Sequence, residues 1–452
     1  MSETQKTLVF LLAAAFLGLS AFLTTPVRVT PDAFLDQGEP FFPEFTDPNV
    51  AATLEVIEFD EETASARPFQ VTVQDGKWSI PSHHNYPADG KERLSQTAAA
   101  IIEARKEDFR SSNVTDHEAL GVLDPLDETL ATLRGRGKRV TIRGEGGRLL
   151  ADLIIGKELE DREEFHYVRV PDQKRVYVAS IGTDLSTRFE DWIERDLLEV
   201  NQGDLQKLIL RNYSVDEETG SVSRRDTLTL EKRDGEWTAD RMASDEELDS
   251  ARMSSLLSAI DNLSIVGVRP KPEGLSRTLR REEGAAISQA DVLSLQTRGY
   301  YFSGDGRLLS NEGELEVFSS TGIQYMLRFG EIVYGAGESV TAGTGSSGDE
   351  QSGPGENRYL FITAVLDAGR LPEPPKPAGT EFLNKPEEEW TEADNRNKEA
   401  KDLHDQWAER LQNARERSES LNARFADWYY VISAGSFDQV HLSRSDLIKK
   451  QE

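Results

Sequence analysis

Residues 54–80 read "LEVIEFDEETASARPFQVTVQDGKWSI", and residues 205–239 read "LQKLILRNYSVDEETGSVSRRDTLTLEKRDGEWTA". Both contain Asp-Glu-Glu-Thr, at 60–63 and 216–219, 156 positions apart. Both close on Asp-Gly-x-Trp, at 75–78 and 234–237, 159 positions apart. Two motifs in one order at nearly one offset mark an internal repeat, and this reading decides the fold. Each copy alternates apolar and polar residues ("FQVTV", "LTLEK"), the period of a half-buried strand. Asp-Gly supplies the positive φ of a tight turn, so each copy is predicted to be a β-hairpin. Trp78 and Trp237 then start the returning strands and are expected to face the core.

A helix is predicted after each hairpin. In the first copy Asp89 is the expected cap before "GKERLSQTAAAIIEA". In the second, Ser244 or Asp245 precedes "EELDSARMSSLLSAIDNLS", where Leu248, Met253, Leu256, Leu257 and Ile260 share a face. A second sheet portion follows in both. Residues 139–156 ("RVTIRGEGGRLLADLIIG") pair with 313–330 ("GELEVFSSTGIQYMLRFG"), 174 positions apart. "HYVRV" from His166 pairs with "RYLFI" from Arg358, and "RFEDW" (188–192) with "RFADW" (424–428), now 236 positions apart.

The growth of the offset places two insertions in the second copy. One is the Gly/Ser-rich loop 335–357. The other is a long helix over about 387–424. There Ala400, Leu403, Trp407, Leu411, Ala414, Ser418, Leu421, Phe425 and Trp428 recur at spacings of three and four. That stripe either packs on the chain's own sheets or forms a seam for a partner helix.

The N-terminal end is of another kind. Residues 8–23 ("LVFLLAAAFLGLSAFL") are unbroken apolar and small residues, and Thr7, Thr24 and Thr25 extend them. At about 1.5 Å per residue the extended run spans roughly 28 Å, close to a bilayer core. The start "MSETQK" is not strongly basic and no small-x-small exit follows, so an uncleaved signal anchor is favoured over a cleaved signal peptide. Lys6 on one side and Arg28 on the other mark orientation weakly. An N-terminus in the cytoplasm and an exported body is the reading adopted. Residues 26–53, rich in proline, are expected to be an extended spacer.

The 452-residue chain carries a formal charge of −29, which opposes nucleic-acid binding and contact with an anionic membrane surface unless tethered. It has no cysteine, which excludes disulfides, thiolate nucleophiles and Cys-ligated metals. The histidines, at 83, 84, 117, 166, 404 and 441, form no H-E-x-x-H. No phosphate-binding glycine motif and no G-x-S-x-G elbow is present. Asp116, His117 and Glu118 are adjacent and are not expected to converge on one ion. His83 and His84 are the best remaining candidates, in "WSIPSHHNYPAD" (78–89). Neighbours on an extended segment point to opposite sides, and the second copy reads "WTADRMASDEELD" there, without histidine. The shared features are a Trp, a link and a helix cap, so Trp78 and Asp89 are expected to matter for folding and the histidines to be replaceable. No catalytic, cofactor-binding or metal-binding residue is assigned.

In order along the chain, "DGKWSI…YPAD", "HEALGVLDP", "LIIGK", "YVRV…VYVAS", "RFEDWIERDLLEV" and "RFADWYYVISAGSFDQVHLSRSDLI" resemble a bacterial family, domain-of-unknown-function family 4340. The resemblance implies one N-terminal membrane helix, an extracytoplasmic body, and company with ABC-type transporters and gliding-motility auxiliary proteins. It brings no catalytic residues with it.

The expected fold is α+β: a transmembrane anchor (1–25), the spacer (26–53), a first α+β module (54–200) and a second (201–452), with antiparallel sheets and packed helices. The expected role is that of a non-enzymatic, membrane-anchored, single-pass extracytoplasmic scaffold or accessory protein, on the periplasmic side, without cofactor and without nucleic acid. Its expected partners are ABC-type transporter subunits or a helix-mediated protein or self-association. The alternative is an extracytoplasmic protein that binds a small ligand or cell-wall fragment in a cleft between the modules.

Overall fold

The computed structural model describes residues 36–450 except 62, 75, 183–184, 217–220, 283 and 335–355, together with positions 14, 16 and 17. Apart from those three positions the expected anchor lies outside the described residues, as does most of the Gly/Ser-rich loop. Among the described residues no helix is long and apolar enough to cross a membrane. The body is α+β, and its large sheets are antiparallel.

The chain begins with β1 (Ala51–Asp60), β2 (Ser65–Gln74), β3 (Lys77–Ile80) and β4 (Tyr86–Pro87). Then come α1 (Lys91–Glu103), β5 (Asp108–Ser111) and a short α2 (His117–Leu120). Strands β6 (Lys138–Gly144), β7 (Leu149–Leu159), β8 (Arg162–Arg169) and β9 (Val176–Ser180) complete this part. The sheet order is β4-β3-β2-β1-β6-β7-β8-β9-β5. The predicted turn between β2 and β3 is present, with Gly76 at φ +73°. Alternation explains β1, where Leu54 and Val56 are fully buried and the residues between them half-exposed. Helix α1 buries Leu94, Thr97, Ala98 and Ile101, one face of a 3.6-residue period.

The chain divides into two compact units, residues 1–68 with 94–185 and residues 69–93 with 186–452. This is not the expected division at 200/201. The reason is aromatic: Phe69 and Tyr86 from the first hairpin pack with Phe189 and Trp192 beyond residue 186.

In the first unit, residues 36–50 are not the expected spacer. Phe41 and Phe45 are buried, the Tyr177 hydroxyl donates to Asp36 Oδ2 (2.6 Å), and Lys106 pairs with the same carboxylate. The aromatic residues between the prolines hold this stretch against the fold. The irregular segment between α2 and β6 closes around one side chain. Arg136 donates to the carbonyls of Asp124, Pro125, Asp127, Leu130 and Thr132, and its guanidinium covers the Phe59 ring at 4.3 Å. One guanidinium thus satisfies backbone acceptors that no strand or helix would.

The second unit continues with β10 (Leu205–Val215), β11 (Val222–Arg233), β12 (Glu236–Ala239), β13 (Glu246–Leu248) and α3 (Ser250–Asp261). Next are β14 (Gly267–Pro270), α4 (Glu273–Leu279), α5 (Gln289–Gln296), β15 (Tyr300–Phe302) and β16 (Leu308–Ser310). Strands β17 (Glu314–Ser319), β18 (Ile323–Tyr334) and β19 (Glu356–Leu366) lead to α6 (Glu392–Ala426). The chain closes with β20 (Trp428–Ile432), α7 (Ala434–Val440), α8 (Arg444–Leu447) and β21 (Ile448–Lys450). The eight-stranded sheet runs β12-β11-β10-β17-β18-β19-β20-β14.

That order matches β3-β2-β1-β6-β7-β8-β9-β5 strand for strand, and in both a helix (α1 or α3) precedes the last edge strand. The match corrects one sequence pairing. Residues 188–192 follow β9, whereas 424–428 precede β20, so "RFEDW" and "RFADW" are not equivalent positions. Strand β20 instead holds the place in its sheet that β9 holds in the other. The shared pattern is Tyr-Val-x-Ser-x-Gly, at Tyr177, Val178, Ser180, Gly182 and Tyr430, Val431, Ser433, Gly435.

Other expectations shift locally. Helix α3 is capped by Asp249, which accepts from the backbone N–H of Ala251 and Arg252, not by Ser244 or Asp245. Residues Glu246, Glu247 and Leu248 pair with β21 instead. Trp78 and Trp237 are half-buried, not core anchors. The long helix is 35 residues, capped by Thr391 through a capping box with Asp394. Its stripe divides in two. Ala414, Ser418, Leu421 and Phe425 are buried, and the Asn422 side chain accepts from the Ala364 N–H of β19. Toward its N-terminus Leu403 is 48% exposed, while Trp407 donates to the Leu371 carbonyl.

Candidate functional site

The sequence candidates do not assemble into one site. His83 is buried, stacked on Phe189 at 4.8 Å and set edge-on to Phe69, and its Nδ1 shares a hydrogen bond with the Ser82 hydroxyl (2.9 Å). Burial, with the charges of His84 and Arg269 adding to it, pushes His83 down to about 4. His84 is exposed, in a left-handed conformation at φ +60°. The two rings face different environments because a 3-10 turn (Pro81–His83) ends in the left-handed His84, which carries its ring out of the core. His117 is buried and its Nε2–H donates to the Lys174 carbonyl (3.0 Å). Its neighbours turn elsewhere: Asp116 accepts from Ser111 and Glu118 from Thr132. Among the described residues no group of three or more His, Asp or Glu side chains is placed to hold a metal ion.

The feature that the sequence reading did not single out follows β9. The turn Phe189–Asp191 carries the chain into Trp192, which is fully buried. Its indole N–H donates to the Ser186 carbonyl (2.9 Å), and its carbonyl accepts from the Asp89 N–H (2.8 Å). Gly90 lies against the ring: a Cβ there would meet Trp192 Cε3 and Val71 Cγ1 at 3.1 Å, so a larger residue would have to displace one of these side chains.

Anchoring Trp192 fixes Asp191 beside it. The Asp191 side chain is 3% exposed and accepts from Ser186 Oγ (2.5 Å), Arg188 Nε (3.0 Å) and Arg195 Nη2 (2.9 Å). Burial raises its pKa, but the Ser186 hydroxyl and the Arg188 guanidinium outweigh that and leave it below the ordinary carboxylate value. A third cation, Arg93, lies over the Trp192 ring at 5.4 Å and favours the same ionised form. Both pairing guanidiniums remain open to solvent, Arg188 at 61% and Arg195 at 73%.

Arg188, Asp191 and Arg195 line a hollow of about 260 Å³ with Glu190, Ile193, Ser264 and Ile265. Ile193 and Ile265 are buried and supply its apolar part. Asp191 has its lone pairs occupied and its charge fixed, so it orients the guanidiniums and is not set up to move a proton. The arrangement can recognise a group. The sequence signal was available: "RFEDWIER" places Arg, Asp and Arg at 188, 191 and 195 around a tryptophan.

The fold and this hollow define an α+β protein with two antiparallel sheets of like strand order and a small Arg-lined concavity. Residues 78–278 match the family model described as a domain of unknown function, DUF4340, the family that the sequence motifs resemble. The matched stretch contains every residue that lines the hollow. It also crosses residue 200, where a boundary between modules was expected. No curated protein and no solved structure matches the chain.

Proposed function

We propose that the chain is a non-enzymatic, membrane-anchored, extracytoplasmic accessory protein of an ABC-transporter-type membrane complex, built from two tandem copies of one α+β module. The common strand order of the two sheets supports the duplication. Phe16 and Leu17, exposed at 71% and 67%, have the character of lipid-facing residues in an anchor. The observation that carries the accessory role is α6. Its C-terminal half is built into the sheet, while its N-terminal half presents Leu403 and the exposed ion pair Lys398–Asp402. A helix longer than its own module needs is suited to a partner. Affinity purification of the full chain from native membranes in mild detergent tests this. Permease and ATPase subunits should co-purify, and Leu403→Glu should release them. Recovery of the chain alone from several detergents overturns it.

A second reading is favoured by the hollow beside Trp192: an extracytoplasmic protein that binds a small ligand. Ligand-dependent shifts at Ile193 and Ile265 would support it. Their absence across charged and neutral probes would end it.

A further inference from the structure

We infer that residues 372–377, "PEPPKP", form a preordered polyproline II ridge that docks into a groove of a partner protein, lined by tyrosine and tryptophan and bordered by basic residues. The inference rests on the accessory reading and names the chemistry of the partner surface; the ligand-binding reading does not depend on it.

The sequence dictates the conformation. Every residue from Pro372 to Pro377 is a proline or stands before one. A proline ring fixes φ at about −65°, and a residue before proline is pushed out of the helical region. The stretch is neither helix nor strand, and polyproline II is the conformation left to it. Its burial repeats every three residues, the period of that helix. Leu371 is buried, Pro374 and Pro377 are half-buried, and Pro372, Glu373, Pro375 and Lys376 are exposed.

The ridge is held before any partner arrives. The Trp407 indole N–H of α6 donates to the Leu371 carbonyl (2.8 Å), and the Asn397 side chain accepts from the Ala378 N–H (3.0 Å). These pins stand ten helix positions apart, about 15 Å, so the stretch runs antiparallel along the N-terminal half of α6. Between them the His404 ring lies 3.3 Å from Glu373 Oε1. A ridge fixed in this way costs little ordering entropy on binding.

Its chemistry names the partner. Four of its six residues lack an N–H, so no strand can complete a ladder with it. It offers ring faces and backbone carbonyls. Tyrosine and tryptophan supply flat apolar surface and one donor each, and aromatic-lined grooves read polyproline II segments in this way. The same connection continues into Glu387, Glu388 and Glu389, all exposed, which a basic border complements. Leu403, next to His404 in α6 and 48% exposed, gives the same partner a second apolar contact.

The chain has no cysteine, so a single introduced thiol is a unique site for a benzophenone–maleimide cross-linker. Pro375→Cys, Leu403→Cys and, as a control on an exposed loop of the first unit, Ser112→Cys are labelled in the full chain in native membranes and irradiated. The expected result is one transporter subunit cross-linked from positions 375 and 403 and not from 112, with the 375 adduct on a peptide that contains tyrosine or tryptophan. Pro372→Ala combined with Pro375→Ala should weaken co-purification of that subunit about tenfold, the order for truncating central interface contacts, with the urea midpoint kept. Added salt should weaken it further. An adduct from 403 with none from 375, or a 375 adduct on a peptide without tyrosine or tryptophan, refutes the ridge while the accessory reading stands. If neither position yields a transporter subunit, both fall.

Discussion

Arg-Phe-x-Asp-Trp occurs twice, at 188–192 and at 424–428, and the same four residues build two different objects. In the first, Trp192 is fully buried and Asp191 is enclosed by Ser186 and two arginines. In the second, Phe425 lies in the last turn of α6 and Trp428 opens β20, half-buried and edge-on to Tyr86 at 5.1 Å. Asp427 pairs with Arg280 at the surface, and its carbonyl accepts from the Lys271 N–H (2.7 Å). Local sequence sets what a side chain can do, but the element before it decides which way it points. The phenylalanine is buried in both; following a strand the motif buries its tryptophan as well, whereas at the end of a helix the tryptophan stays half-buried.

The sharpest way to break this comparison is to truncate the two tryptophans. Trp192→Ala removes a fully buried ring and an indole hydrogen bond, and should cost about 3–5 kcal/mol in urea unfolding. Trp428→Ala should cost about 1–2 kcal/mol. Equal losses would make the motifs equivalent after all.

The two aspartates come next. Asp191→Asn leaves two guanidiniums without their shared charge and should cost about 1.5–3 kcal/mol at neutral pH. Asp427→Asn should stay within about 1 kcal/mol, as for an exposed ion pair. The Asp191 effect should also depend on pH. Its folded pKa lies below the ordinary 3.8, so its contribution is complete above that value and is lost as pH falls through the folded value. The wild-type advantage over Asp191→Asn should therefore shrink below about pH 4; a constant gap would mean that the carboxylate is not held ionised by its partners.

How much of this was legible beforehand depends on the range of the contacts involved. The hairpins were, because Asp-Gly turns announce themselves locally; Gly235, like Gly76, takes a positive φ. The long helix was legible from its spacing, with an end moved to the Thr391 capping box. The start of α3 was not, because Glu246, Glu247 and Leu248 are claimed by Ile448, Lys449 and Lys450, some two hundred positions away. The like position of β9 and β20 in their sheets was obscured because the more conspicuous "RFxDW" match gave an offset of 236, whereas Tyr177 and Tyr430 stand 253 apart. The hollow needed Ser264 and Ile265 beside a turn at 188–195, which no local pattern could place together.

Lys271 gives a finer contrast, because the second motif surrounds a buried amine where the first holds a buried carboxylate. Its Nζ donates to the Phe425 carbonyl (2.8 Å) and lies 4.1 Å from the Phe361 ring centroid. Burial drives its pKa well below 10.5, although the Asp427 charge opposes this. Between the folded value and 10.5 the unfolded chain binds the proton and the folded chain does not, so wild-type stability should rise with pH in that window. Lys271→Met keeps the length of the side chain and should remove that rise. Urea midpoints at pH 7 and pH 9.5 measure it; a parallel rise in both proteins would place the titration elsewhere.

The smallest effect at neutral pH is expected at the paired histidines, and it separates the inward from the outward ring. His83→Leu exchanges a neutral buried ring for an apolar side chain of similar size and should cost less than about 1.5 kcal/mol at pH 7. His84→Leu, at an exposed position, should change stability by about 0.5 kcal/mol or less. Lower pH should spread the two apart. With His83 held to about 4, the unfolded chain takes up the proton near 6.5 and the folded chain does not. Wild-type stability should then fall by up to about 1.4 kcal/mol per pH unit between those values. His83→Leu should abolish that slope and, near pH 5, be the more stable protein; His84→Leu should keep it. A slope that survives His83→Leu would show that the ring stacked on Phe189 is not the group that titrates.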